Sequence, residues 1–483
     1  MAEYDPVIGM EVHIELQTNT KMFCGCKVAF GGEPNTRCCP VCLGLPGTLP
    51  VVNKKAIESM TKMALALNCK IADKCIFHRK NYYYPDMPKN YQISQYDNPL
   101  GSNGYLEIEV NGKVKKIAVR RVHMEEDAGK LTHVEGGKSH VDYNRTGVPL
   151  MEIVTMNPPP PGLDQIESAD DAREYLRRLR QIAMYLGVSD CKMEEGSMRC
   201  EPNISIKPKG QKEFGVKTEI KNLNSFRVVA LGVDYELKRH KKVLDAGGEI
   251  VQETRRWDDA HAKTVVMRVK EVEQEYRYFP EPDLVPMEFD KDWIEGLRAS
   301  LPELPLAKQR RFAAEYGLSD TDAEILTDTR EMADFYESIA KKAKDPKAVA
   351  NWILGDFMKM MNATGTALAD TKITPELLCG MLELIDKGTI NRNIAKKVFE
   401  EMFETGKSAA QIVKEKGLEQ VTDTGAIEGA VDAVIAAHPA EVERFKNGEV
   451  KLMGFFVGQI MRETKGKANP AAINKLLSEK LKS

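Results

Sequence analysis

The chain has 483 residues, and 69 Lys and Arg residues against 72 Asp and Glu residues give a formal net charge of −3 at pH 7. This length exceeds the roughly 100–200 residues of a typical domain, so more than one domain is expected. The near balance of charge excludes a chain that is basic throughout, and any nucleic-acid site must therefore be local.

Hydrophobic residues make up 42% of the chain and charged residues 29%, which is typical of a soluble globular protein. No stretch approaches the roughly 18 apolar residues that a membrane helix needs. Glu3 and Asp5 stand where a secretory signal carries positive charge. We therefore expect a cytoplasmic protein without a membrane contact. In that reducing compartment, clustered cysteines indicate metal ligands rather than disulfides.

The first predicted element is a strand over residues 7–16, where apolar residues alternate with polar ones. The alternation places Glu11, His13 and Glu15 on one face and leaves the other face apolar. A solvent-facing antiparallel strand produces the same pattern without any ligand. A Glu-His-Glu face is nevertheless a candidate ligand set.

Four cysteines follow in the order C-x-C, twelve residues, C-x-x-C, namely Cys24, Cys26, Cys39 and Cys42. This spacing allows four thiolates to surround one tetrahedral Zn²⁺. A site closed by four sulfurs has no open position for water, so we expect a structural zinc rather than a catalytic one. Cys38 is a neighbour that could substitute for Cys39.

Residues 79–96 interleave aromatic and basic side chains. The pattern suits base stacking and phosphate contact, and it is equally compatible with a packed aromatic loop.

Carboxylates cluster further along the chain. Residues 123–130 hold one histidine and three carboxylates, including Glu125 and Glu126. Such oxygens suit a hard divalent cation bound to phosphate, although charge runs are usually solvated surface. Residues 150–154 form an apolar strand in which Glu152 is embedded. A buried carboxylate is costly without a partner, so a metal or a basic group is expected beside it.

Two later stretches, residues 192–203 and 217–225, carry both signs of charge. If the second stretch is extended, Lys217, Glu219 and Lys221 share one face. A nucleotide site needs basic groups for phosphate oxygens and carboxylates for the bridging magnesium, although salt-bridged surface strands give the same residues. The chain has no P-loop signature, so a nucleotide site would not be of the Walker type.

The predicted elements change type along the chain. Asn111-Gly112 between two strand-like runs predicts a β-hairpin, and Ser168 is a candidate N-cap for a helix that ends at Gly187. Beyond about residue 295 apolar residues recur at helical spacing. We therefore expect an α+β fold with a sheet-rich domain over 1–294, an all-helical domain over 295–405 and a small helical tail domain over 406–483.

Several of these stretches together resemble the family of B subunits of bacterial aspartyl/glutamyl-tRNA amidotransferases. Order and spacing hold over essentially the whole chain. The matching segments are residues 8–13, 79–82, 91–95, 123–130, 142–145, 192–203, 221–225, 252–256, 276–283 and 453–461.

The resemblance implies a cradle-shaped, sheet-rich catalytic domain in a heterotrimeric, glutamine-dependent ligase. An amidase partner would release ammonia from glutamine, and a small third chain would complete the assembly. This chain would use ATP and Mg²⁺ to phosphorylate the side-chain carboxylate of Glu-tRNA(Gln) or Asp-tRNA(Asn), and ammonia would then displace the phosphate. Activation is needed because a carboxylate reacts poorly with ammonia until its oxygen becomes a leaving group.

Carried onto matching positions, the resemblance also implies residue roles. The implied Mg²⁺ ligands are Glu11, His13, Glu126, Glu152 and Glu201, although the family often has Asp at the position of Glu201. The candidates for neutralising the transferred phosphate are Lys80, Lys192, Arg199 and Lys221. Together with the charge pattern described above, Glu125, Glu201, Lys217 and Glu219 are further candidates for nucleotide binding.

The end of the chain resembles the family domain that grips the tRNA. Residues 451–483 hold seven Lys or Arg residues against two Glu residues, a local balance of +5. Such a segment suits contact with phosphates. Two alternatives stay open, a non-catalytic tRNA-binding scaffold and a stand-alone metal-dependent kinase or ligase for a small carboxylate.

Overall fold

The computed structural model describes residues 3–269, 276–419, 424–464 and 470–481. The chain divides into two compact units, Met1–Pro305 and Leu306–Ser483. The described strands all lie in the first unit and the second is helical, so the expected α+β fold is confirmed. The finer division at residues 294 and 405 stays a prediction. Within the described ranges, no helix is both long enough and apolar enough to cross a membrane.

In its described residues, the first unit is built mainly from strands, with four helices beside them. The helices are α1 (Lys54–Ala66), α2 (Ala169–Tyr185), α3 (Phe226–Asp245) and α4 (Lys291–Ala299). The strands are β1 (Tyr4–Glu15), β2 (Lys70–Ile71), β3 (Lys74–Cys75), β4 (His78–Asn81), β5 (Tyr91–Ser94), β6 (Gly101–Val110), β7 (Lys113–Glu126), β8 (Lys130–Val134), β9 (Lys138–Asp142), β10 (Pro149–Thr155), β11 (Met198–Pro208), β12 (Thr218–Lys221), β13 (Glu253–Asp258), β14 (Lys263–Val269), β15 (Phe279–Pro280) and β16 (Met287–Glu288).

Strand β1 lies in the middle of a twelve-stranded sheet. The strand order is β14-β13-β12-β11-β1-β10-β7-β5-β4-β15, with β6 paired to β7 and β2 paired to β6. Both neighbours of β1, which are β10 and β11, run antiparallel to it, whereas β12 and β13 are parallel to each other. The pairs β8-β9 and β3-β16 form two small sheets. The first strand in the sequence is therefore central in the fold.

The apolar face of β1 lies in the core of the first unit, as the alternation predicts. Ile8, Met10, Val12 and Ile14 are fully buried, and side chains of α1, α2 and α3 belong to the same core. Helix α2 begins where it was expected, because the Ser168 side chain accepts a hydrogen bond from a first-turn amide. Helices therefore cover the apolar side of β1, and its polar residues point the other way.

The hairpin predicted at Asn111-Gly112 is confirmed. These two residues have φ angles of 52° and 72°, the left-handed conformation that a tight two-residue hairpin requires. The turn joins β6 to β7, and β7 continues far enough to pair with β10 as well. The long strand thereby carries residues 123–126 into the centre of the sheet.

The second unit consists of helices around two separate apolar cores. Residues of α5–α12 form one core and residues of α13–α16 form the other. The helices are α5 (Pro305–Tyr316), α6 (Asp320–Leu326), α7 (Arg330–Ala340), α8 (Pro346–Trp352), α9 (Met358–Thr364), α10 (Pro375–Asp386), α11 (Arg392–Thr405), α12 (Ala409–Lys416), α13 (Thr424–Ala437), α14 (Pro439–Lys446), α15 (Leu452–Glu463) and α16 (Pro470–Lys480), with a π-helical turn at Ile353–Phe357 and a 3₁₀ turn at Leu368–Asp370.

Candidate active site

Strand register brings polar side chains from several strands onto one side of the sheet, here called the polar face. His13 of β1 is opposite Glu152 of β10 and Arg199 of β11, and Glu152 is in turn opposite His123 of β7. Directly opposed residues on antiparallel strands share a face. By the same rule the polar face also carries Glu11, Glu15, Lys80, Glu125, Glu201, Asn203, Glu219 and Lys221.

Three residues of the polar face, called here the His13 group, converge on one point. His13, Glu125 and Glu152 each offer a ligand atom, and these atoms all lie within 4.8 Å of one another. The His13 Nε2 is 3.9 Å from a carboxylate oxygen of each glutamate. Both glutamates are buried, with 3% and 7% of their surface exposed. Two buried carboxylates beside an imidazole form a donor set that suits a divalent cation.

His123 and Lys80 keep the two carboxylates of this group ionised. His123 Nε2 lies 2.7 Å from Glu152, and Lys80 Nζ lies 3.8 Å from Glu125. Burial alone lowers the pKa of His123, but Glu152 and Glu125 raise it to about 9. Burial alone raises the pKa of Glu152, yet His123 outweighs it and lowers that pKa to about 2. Lys80 and His123 likewise overcome burial and hold the pKa of Glu125 below its usual range.

The expected basic partner of Glu152 is thus His123, which sequence reasoning did not single out. The sequence contained a signal for this residue, because His123 and Glu125 are two positions apart on one strand and therefore share a face. Only the pairing of β7 with β10 shows that His123 meets Glu152.

A second part of the polar face contains Glu11, Glu201, Glu219 and Lys221. Lys221 Nζ lies 2.6 Å from Glu201 and 3.3 Å from Glu219. Glu11 accepts a hydrogen bond of 3.0 Å from the neutral Asn203 amide, and within the described ranges no cation lies at ion-pairing distance from it. Burial, followed by the charges of Glu152 and Glu201, raises the pKa of Glu11. A bound cation would relieve this repulsion.

Arg199, which is directly opposite His13, is already paired with a carboxylate. Its guanidinium lies 2.7 Å from Asp127, and Arg145 lies 3.7 Å from the same carboxylate. Burial and the adjacent Asp127 raise the pKa of Glu15 to about 8. A groove of about 1360 Å³ is lined by Glu15 and Arg145 among other residues, and it is large enough for a nucleotide-sized ligand.

Three residues named from the sequence lie away from the His13 group. Glu126 follows Glu125 on β7 and so points to the opposite side, where it contacts Lys89 and accepts a 3.0 Å hydrogen bond from the Ile93 amide. The structure therefore brings Glu125, rather than Glu126, to His13 and Glu152. Lys192 is exposed and lies 2.8 Å from Glu195, and Lys217 is exposed just before β12.

The four cysteines of the predicted metal site come together on the side that Glu126 faces. The sulfurs of Cys24, Cys26, Cys39 and Cys42 lie within 4.8 Å of one another, and Cys38 is not part of the group. The Cys39 amide lies 3.2 Å from the Cys42 sulfur and donates a hydrogen bond to it. Four converging sulfurs fit a tetrahedral zinc ion. Cys24, Cys42 and Glu126 line a cavity of about 60 Å³, and this cavity is too small for a nucleotide.

Comparison with known proteins adds a family to this geometry. Residues 6–295 match the model described as "GatB/GatE catalytic domain", and residues 334–481 match the model described as "GatB domain". A protein of Carboxydothermus hydrogenoformans, named as the B subunit of an aspartyl/glutamyl-tRNA(Asn/Gln) amidotransferase, is 57% identical over 100% of this chain and 99% of its own length. Proteins with the same name from Moorella thermoacetica and Brevibacillus brevis are 54% and 53% identical over 99% and 100% of this chain, and each is covered over 100% of its own length.

Proposed function

The chain belongs to the GatB/GatE family, and we propose that it catalyses the ATP-dependent amidation of glutamyl or aspartyl groups carried by tRNA. In the first step a side-chain carboxylate oxygen of Glu-tRNA(Gln) or Asp-tRNA(Asn) attacks the γ-phosphorus of ATP, giving an acyl phosphate and ADP. In the second step ammonia attacks the acyl carbon, inorganic phosphate leaves, and the nitrogen loses a proton to give the amide.

The observation that carries this proposal is the convergence of His13, Glu125 and Glu152 on one point of the polar face. These three residues would hold Mg²⁺, with Glu11 and Glu201 close by. A bound Mg²⁺ neutralises phosphate oxygens and orients them for in-line transfer. His123 holds Glu152 in place through the 2.7 Å contact. Lys80 and Lys221 supply positive charge for phosphate oxygens from the two sides of this group.

The remaining parts of the proposal concern partners. An amidase partner would supply the ammonia from glutamine, and a small third chain would complete a heterotrimer in the cytoplasm. The four cysteines would hold a structural Zn²⁺ that folds their segment. Lys451, Arg462 and Lys475 of the basic tail are exposed and suit contact with tRNA phosphates. Lys465, Lys467 and Lys482 of that tail lie outside the described residues.

The test is conversion of Glu-tRNA(Gln) to Gln-tRNA(Gln) by the chain co-purified with its amidase and small partners, with and without ATP and Mg²⁺. We expect amide formation that needs both. Conversion of Asp-tRNA(Asn) alone would assign the other substrate. Failure on both tRNAs in an assembled complex would contradict the catalytic role and favour a tRNA-binding scaffold. Turnover of free glutamate without tRNA would instead favour a stand-alone ligase.

A further inference from the structure

Lys21 is a buried cation without a carboxylate partner. Only 1% of its surface is exposed. Its ammonium donates to the carbonyl oxygens of Arg37 and Tyr143 at 2.7 and 3.3 Å. In the ranges that the structure describes, no carboxylate lies within ion-pairing distance of it. Because a buried charge is costly unless it is paired, this ammonium needs an anion.

The cysteine cluster supplies that anion. Lys21 Nζ lies 3.7 Å from the sulfur of Cys42, the buried member of the four-cysteine group. Cysteines bind a metal as thiolates, so four of them around a divalent ion carry a net charge of −2. The ammonium of Lys21 offsets part of that charge at Cys42, the sulfur that it contacts.

We propose that Lys21 is the counter-charge of the anionic complex that Cys24, Cys26, Cys39 and Cys42 form with a divalent metal, and that it stabilises the metal-bound form by direct contact with Cys42. Lys21 is a positioning residue, since it is not itself a ligand. This inference rests on the metal site suggested above, but it assigns a separate residue and a separate effect.

The cysteine-rich segment is also held in place by hydrogen bonds that do not involve Lys21. The Asn35 and Arg37 amides donate to the side chains of Asp142 and Asn144 at 3.0 and 2.8 Å. The Asn144 side chain returns a 2.7 Å hydrogen bond to the Glu33 carbonyl. Replacing Lys21 should therefore leave the segment docked against the β9 to β10 connection while it removes the charge.

The experiment compares Lys21→Gln with Lys27→Gln in the full chain co-purified with its partners. Lys27 is an exposed lysine of the same cysteine-rich segment and serves as the matched control. Zinc content is measured by elemental analysis, and zinc release is followed with a chromogenic chelator. Losing a residue that supports metal ligands typically weakens metal affinity about 10- to 100-fold, and we expect Lys21→Gln to release zinc faster than the wild type by about that factor. Lys27→Gln should match the wild type.

Two further variants show whether charge is the cause. Lys21→Arg keeps the charge and should release zinc at nearly the wild-type rate. Replacing Cys26 by His lowers the negative charge of the ligand set by one, so Lys21→Gln should accelerate release less in a Cys26→His background than in the wild-type background. A Lys21→Arg protein that folds but releases zinc as fast as the Lys21→Gln protein would overturn the proposal. The proposal would also be overturned if Lys21→Gln accelerated zinc release by the same factor in the Cys26→His background as in the wild-type background.

The outcomes also separate this inference from the metal site on which it rests. If the wild-type protein bound neither zinc nor another divalent metal, the proposed metal site itself would be contradicted, and the role of Lys21 with it. Zinc in the wild type that is retained equally by Lys21→Gln would overturn only the role of Lys21. Neither result bears on amide formation at the polar face.

Discussion

Two groups of buried charged residues in the first unit both contain glutamate and histidine but differ in how their charges balance. One is the polar face around His13. The other is called here the α3 network, and it consists of Glu236, Arg239 and His240 of α3 with Glu253 and Arg255 of β13. The side chains of Glu236 and His240 are both 0% exposed.

In the α3 network the carboxylates and the guanidinium groups pair with one another. Glu236 lies 2.7 Å from Arg239 and 3.2 Å from Arg255, and Glu253 lies 2.6 Å from Arg255. His240 is 2.9 Å from the hydroxyl of Thr218. Two carboxylates meet two guanidinium groups, so this cluster needs no ligand to be neutral.

On the polar face, by comparison, the pairing of charges is incomplete. Among the described residues, Glu11 has only an amide partner, and its pKa is raised. Glu125 and Glu152 are paired with Lys80 and His123, but they also converge with His13 on one point. Burial and charge are therefore not sufficient to mark a site. What distinguishes the polar face is the convergence of three ligand atoms on one point beside Glu11, whose charge no ion pair of the described residues cancels, and the following predictions test that distinction.

The largest effect is expected on the polar face. Glu152→Gln removes one charge from the His13 group, and we expect amide formation to fall by about 100- to 1000-fold, as when a group that stabilises a transition state is lost. Rates are measured with saturating ATP and tRNA, and assembly with the partner chains is checked by gel filtration. Normal activity in an assembled Glu152→Gln complex would contradict the metal assignment.

In the α3 network the same kind of change should affect stability instead. Glu236→Gln leaves Arg239 and Arg255 without the Glu236 carboxylate, which costs about 3–5 kcal/mol of unfolding free energy for a buried pair. The matched control is Asp234→Asn, which breaks the exposed 2.7 Å pair with Lys238 on the same helix and should cost less than about 1 kcal/mol. Denaturant unfolding gives both values. Folded Glu236→Gln protein should keep its rate of amide formation.

The pH dependence of the unfolding free energy of Glu236→Gln provides a second test. Burial alone raises the pKa of Glu236, but His240 and Arg239 outweigh it and lower the pKa from 4.5 to about 2. A depressed carboxyl pKa contributes stability above the unfolded value and loses it as the pH falls toward the folded value. The stability gap between the wild type and Glu236→Gln should therefore shrink as the pH falls from 4.5 to about 2. A constant gap would show that Glu236 is not held ionised.

The smallest effect separates two neighbours on β7. Glu125→Gln should raise the Mg²⁺ concentration for half-maximal ATP hydrolysis by at least about tenfold, because Glu125 belongs to the His13 group. Glu126→Gln should leave that concentration unchanged, because Glu126 faces the other side of the sheet. If the half-maximal Mg²⁺ concentration rose equally in the two variants, the assignment of Glu125 rather than Glu126 as a metal ligand would be contradicted.

Local signals in the sequence correctly predicted many elements. The alternation of residues 7–16 predicted which face of β1 is buried, and Asn111-Gly112 predicted the hairpin. The spacing of the cysteines predicted a group that the structure brings together, with Cys39 rather than Cys38 as its member. Each signal depends on residues close in the chain, where strand alternation, turn conformation and ligand spacing act directly.

The sequence by itself therefore determined the fold class, the family and the carboxylate-rich strands from which a site is built. Tertiary structure decided which of those residues meet, including Glu125 in place of Glu126 and His123 as the partner of Glu152. The physical reason is strand register. Side chains alternate between faces with a period of two, so a shift of one residue moves a side chain to the opposite face. Pairing between β1, β7 and β10, which lie far apart in the chain, sets that register.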